Sequence, residues 1–181
     1  MPRQVTLTVY TLDELKDDHP SGYAIVLERW KQEVDELGES PCQREIIESL
    51  EAVVKACSAN IIECSVGAYS SPVLTTDAEP HDAEWFRTNV LAPLGYVRVY
   101  DDKVSFPGLC ALTGYSSDDN LLEALWEDLS LGINLSHALS RLVIIVKGMV
   151  LDDFEELRSS DGMEDSYYGD QDYDKFGNIV H

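Results

Sequence analysis

From Tyr23 onward, apolar residues return every three to four positions, at Tyr23, Val26, Leu27, Trp30, Val34 and Leu37, and the run ends at Gly38. A helix of 3.6 residues per turn with one face on a core is the structure that gives this spacing a use. A second helix is predicted over 41–58, with Ile46, Ile47, Leu50, Val53, Val54 and Cys57 on one face and Glu45, Glu48 and Glu51 on the other. The two are expected to form a helical hairpin.

Other segments change the period. Residues 4–10 and 96–100 alternate with β-branched or aromatic residues and read as strands, and 60–69 followed by 73–76 reads as strand, turn, strand. Thr11 with Glu14 has the spacing of a capping box and predicts a short helix stopping at His19-Pro20. Further helices are predicted over 80–91, from Ser117 to Leu129, and from an Asn134 cap to Leu157, with Gly148 as a weak point. The expected fold class is α+β: a small, mostly antiparallel sheet of three to four strands packed with about four main helices. One domain is expected over 1–158, followed by an acidic tail, 159–181, that is mobile or ordered by a partner.

Charge sets the chain apart. Thirty-four acids against 13 bases give a net charge of −21 in 181 residues, whereas solubility asks for a magnitude of roughly 2–8 in a small domain. Residues 152–174 hold ten acids against Arg158 alone, and 13–51 hold twelve acids against Lys16, Arg29, Lys31 and Arg44. Direct binding to nucleic acid or to an anionic membrane needs clustered Lys and Arg, and none is visible. The longest apolar run, Leu142–Val146, is far short of the roughly 18 residues of a membrane span, and residues 1–6 lack the pattern of a secretory signal. A soluble, cytoplasmic protein is expected.

No motif for catalysis stands out. The histidines His19, His81, His137 and His181 lack zinc-site spacing, G-x-S-x-G and the phosphate-loop glycine patterns are absent, and carboxylates are too numerous for any pair to be informative. Residues 170–181 have the D-x-D-x-D start of a calcium loop, but Lys175 and His181 stand where Gly and Glu belong. Cys42, Cys57, Cys64 and Cys110 form no C-x-x-C pair, and reduced thiols in apolar surroundings are expected. Neither enzymatic activity nor a cofactor or metal is expected.

What remains is geometric. Glu45, Glu48 and Glu51 advance about 4.5 Å per step along a helix, while duplex phosphates advance roughly 3.4 Å per strand. Such a row can stand in for phosphates in a basic cleft, drawn there by long-range attraction. Asp13, Asp17, Asp18, Glu28 and Asp35 would extend the field if the first helices lie side by side, and Asp118, Asp119, Glu123, Glu127 and Asp128 would form another row. The expected partner is a basic nucleic-acid-binding protein or complex; the oligomeric state, homodimer included, stays open.

Leu12-Asp13-Glu14-Leu15 with His19-Pro20-Ser21-Gly22-Tyr23, Ser65-Val66-Gly67-Ala68-Tyr69-Ser70, Thr113-Gly114-Tyr115-Ser116 and Asp174-Lys175-Phe176-Gly177-Asn178-Ile179-Val180 resemble stretches of small acidic proteins encoded by bacteriophages and prophages, most without an assigned function. The resemblance implies a setting in which DNA-mimic anti-restriction and anti-CRISPR proteins occur, and hence a phage-type inhibitor of a host nucleic-acid-binding defence complex. The alternative expectation is an antitoxin or other interaction module whose acidic tail folds on a basic partner.

Overall fold

The computed structural model describes residues 8–37, 40–67, 70–96, 104, 106 and 108–180. The chain divides into two compact units, Met1–Glu39 with Asp153–His181, and Ser40–Asp152. This differs from the expected domain over 1–158 with a separate tail.

In the first unit, α1 (Leu12–Asp18) opens with the predicted capping box: the Thr11 side chain accepts from the Glu14 N–H, and Glu14 accepts from the Thr11 N–H at 2.9 Å. His19 ends α1, and Pro20, which has no N–H to leave unpaired, starts α2 (Pro20–Glu36). Gly22, Val26, Trp30 and Val34 form the buried stripe of α2. The last residues of α6 (Leu135–Leu157), then α7 (Ser160–Glu164) and a 3-10 turn at Tyr167–Asp170, complete the unit.

Residues 159–180 pack within the first unit, where a tail that is mobile or ordered by a partner was expected. Met163, Tyr168 and Tyr173 are buried, and Tyr173 pairs with both Tyr10 and Ile179 in antiparallel bridges. Two glycines allow the last turn to lie against α2. A side chain on Gly177, whose φ is +80°, would meet the Gly22 carbonyl at 2.5 Å, and one on Gly22 would meet the Lys175 carbonyl at 2.7 Å. Arg29 donates to the Gly177 carbonyl, Lys16 pairs with Glu164 at 2.7 Å, and the Tyr168 hydroxyl donates to Glu33. Glu164 and Glu33 thus serve as internal acceptors within the unit.

In the second unit, Ser40 and Gln43 cap α3 (Pro41–Ala56), which packs on α5 (Ser117–Ser130). Ile46, Leu50, Val53 and Val54 share a core with Leu121, Leu122 and Leu125 of α5 and with Leu135, Leu139, Leu142 and Val146 of α6. Gly148 does not interrupt α6. The sheet is a two-stranded antiparallel hairpin, β1 (Ile61–Ser65) with β2 (Val73–Thr76), fewer strands among the described residues than the three or four expected. Of the other expected strands, residues 4–7 and 97–100 lie outside the described residues. Asp82 caps α4 (Ala83–Phe86) by accepting from Trp85 N–H at 2.9 Å, and the chain continues as a π-helical turn at Arg87–Leu91. The fold is thus α+β, dominated by helices, and among the described residues no helix is long and apolar enough to cross a membrane.

Candidate acidic binding surfaces

Ser49 faces inward from α3, and its hydroxyl bonds Ser117 at 2.7 Å and Thr113 at 3.2 Å. That contact holds the start of α5, where two predicted site residues lie, against α3. Asp118 accepts from the Leu112 and Thr113 N–H groups and the Thr113 hydroxyl, at 2.7–3.0 Å. Asp119 accepts from Leu109 N–H, Cys110 N–H and the Tyr96 hydroxyl. Asp118 is 0% and Asp119 7% exposed, so neither belongs to a surface row. Their oxygens instead organise the 109–113 loop, as expected for buried polar groups.

The same bonds set the ionisation of this cluster. Burial works to raise the Asp118 carboxyl, but the Thr113 N–H and hydroxyl, the Ser49 hydroxyl and the Leu112 N–H outweigh it and hold Asp118 below the usual carboxylate range. Burial first, and then the bond to Asp119, pushes the Tyr96 phenol far up.

On the outer side of α3, Glu48 and Glu51 are exposed and Glu45 is half-buried. Glu48 and then Glu45, with some burial, raise the Tyr115 phenol, so both carboxylates bear on one surface point. Burial and, after it, the charge of Glu51 raise the Cys64 thiol of β1. On α5, Glu123 and Glu127 are exposed, while Asp128 is partly covered and pairs with Arg141 at 3.0 Å.

The first unit holds the other predicted carboxylates. Asp13, Asp17 and Asp18 on α1 and Glu28 and Asp35 on α2 are all exposed; Glu28 pairs with Lys31 at 3.1 Å and Asp35 with Arg158 at 2.9 Å. This unit carries eighteen acids against six bases, a net −12 in 68 residues, and the second unit carries −9 in 113.

A cleft of about 400 Å³ lies in the first unit, lined by Trp30, Leu157 and Gly162 together with Asp153, Glu156, Asp161, Asp165 and Ser166. Sequence reasoning counted these acids only as part of the acid-rich stretch 152–174 and missed the cleft. Its available signal was the interruption of a carboxylate-rich segment by Leu157, Gly162 and Met163, residues that a solvated tail has no use for.

The thiols do not form a set. Burial pushes Cys57 up to about 12, while Cys42 and Cys64 are exposed and Cys110 is half-buried, so only Cys57 is a core thiol as expected. Asp174 accepts from the N–H groups of Phe176 and Asn178 and from the Asn178 amide, which makes it the anchor of a tight turn. Among the described residues no group of three or more His, Cys, Asp or Glu side chains is placed to hold a metal ion. Compared with protein-family models, curated proteins and solved structures, the chain has no significant match.

Proposed function

We propose that the protein is a binding protein that occupies the positively charged nucleic-acid site of a partner complex with carboxylates held in place of phosphates. The observation that carries this reading is the outer face of α3, where Glu48 and Glu51 are exposed and Glu45 half-buried while Ile46, Leu50, Val53 and Val54 of the same helix are buried. A capped 16-residue helix packed on α5 holds these side chains on a rigid base. Interactions made by a preorganised surface lose less conformational freedom on binding than those of a flexible acidic segment. With the resemblance to small phage-encoded acidic proteins, the partner proposed is a host defence complex that binds DNA or RNA, and the protein its inhibitor.

The surface that supports this reading is narrower than the sequence predicted. Glu45, Glu48, Glu51, Glu123 and Glu127 of the second unit and Asp13, Asp17, Asp18, Glu28 and Asp35 of the first remain candidate contacts, whereas Asp118 and Asp119 are structural. The test is capture of a partner from bacterial lysate by the full chain and by an E45K/E48K/E51K variant. Loss of the captured complex in a variant that keeps its helical circular dichroism supports the α3 contact. Equal capture by both removes it.

A further inference from the structure

The cleft beside Trp30 differs in kind from the α3 row. Its lining combines Trp30, Leu157 and Gly162 with the carboxylate residues Asp153, Glu156, Asp161 and Asp165. We propose that it receives an arginine side chain from the basic partner protein, an inference that rests on the reading of this chain as an acidic binder of such a partner.

Three features of the site fit an arginine. Its apolar stem suits an indole and a leucine in the lining, while its planar fork of donors suits the carboxylates of the same lining. A small ion suits the site poorly, because these carboxylates are not drawn together into a metal-binding group. An anionic ligand would meet the negative charge of the unit.

The end of α6 strengthens the match. A helix C-terminus carries partial negative charge and favours Lys or Arg in its last turn. The last turn of α6 has none and carries Glu155 and Glu156 instead, with Asp153 just before it. Arg158 follows the helix, but its guanidinium pairs with Asp35 at 2.9 Å and lies over the Phe154 ring. Among the described residues, the carboxylates of Glu156, Asp161 and Asp165 form no ion pair with a cationic side chain. A cation supplied by the partner would give these carboxylates a counter-charge, and the Trp30 indole in the same lining would add a cation–π contact.

The test is a titration of the full ¹⁵N-labelled chain with Nα-acetyl-arginine methylamide, with the uncharged citrulline analogue as control. The expected result is a saturable shift of the Trp30 indole and of the Gly162 and Ser166 amides. Citrulline should not reproduce it, and an Asp161→Asn/Asp165→Asn variant with an otherwise unchanged spectrum should weaken it about tenfold or more. Shifts scattered over the acidic surface without saturation, equal shifts with citrulline, or an unchanged response in the variant would overturn the proposal. If the arginine probe fails while DNA still displaces a partner captured through α3, the cleft assignment falls and the proposed function stands. Saturation at the cleft with no DNA-sensitive partner would instead keep the arginine site and remove the proposed function.

Discussion

The indole N–H of Trp30 donates to the carbonyl of Leu157 at 2.7 Å. Trp30 comes from the centre of α2 and Leu157 is the final residue of α6, so one hydrogen bond satisfies a helix-end carbonyl and ties the two segments of the first unit. Trp30→Phe keeps a ring but leaves that carbonyl without its donor. The expected loss is about 1–2 kcal/mol in urea unfolding.

Asp118 predicts both a mutational and an acid effect. Asp118→Ala strands the donors of Leu112 and Thr113 in a buried site and should cost about 3 kcal/mol. Because the folded carboxyl titrates below its unfolded value, its contribution is complete above the unfolded pKa and is lost as pH falls through the folded one. Stability measured between pH 5 and about 2 should therefore decline, and the decline should be shallower in Asp118→Asn.

Gly177 tests the docking of the C-terminal turn. Any side chain there meets both a positive φ and the Gly22 carbonyl. Gly177→Ala should destabilise by about 2 kcal/mol or more and should release Tyr173 to solvent, seen as faster hydrogen exchange at Tyr10 and Tyr173. Unchanged exchange would mean that the turn is not held as described.

Alkaline titration reads the buried phenols. Burial, with Glu33 second, pushes Tyr168 up to about 12, and burial pushes Tyr173 to about 12. Their neutral forms stabilise the fold fully below pH 10, and this is lost as pH rises from the unfolded value near 10 through the folded ones. Absorbance at 295 nm should show a late class of tyrosines, and unfolding should set in on the same alkaline limb.

Thiol labelling gives a simple check on burial. Cys42 and, more slowly because its thiol is raised, Cys64 should react with a disulfide reagent at neutral pH, whereas Cys57 should react only after denaturant is added. Rapid reaction of Cys57 in the native protein would contradict the packing of α3.

Sequence patterns disclosed the elements better than their surroundings. The Thr11–Glu14 cap, the Trp30 stripe and the α3 face follow local spacing, and all three are present. Asp118 and Asp119 read as first-turn acids of α5, which they are, but their burial depends on a loop and on Tyr96, more than 20 residues before them. Local pattern holds no record of that contact. The 159–180 segment misled for a related reason: its charge suggests solvent, while a few anchors, Met163, Tyr168 and Tyr173, with Gly177 at the turn, supply the packing. The cleft was hidden because its walls come from opposite ends of the chain.

The central claim is that carboxylates here stand in for phosphates. The most direct measurement is release of the captured partner complex from immobilised protein by increasing duplex DNA or RNA at constant ionic strength. Displacement by nucleic acid, with the E45K/E48K/E51K variant capturing no such complex, is the predicted result. A partner that stays bound at saturating nucleic acid, or that binds nucleic acid and this protein at the same time, would contradict the account.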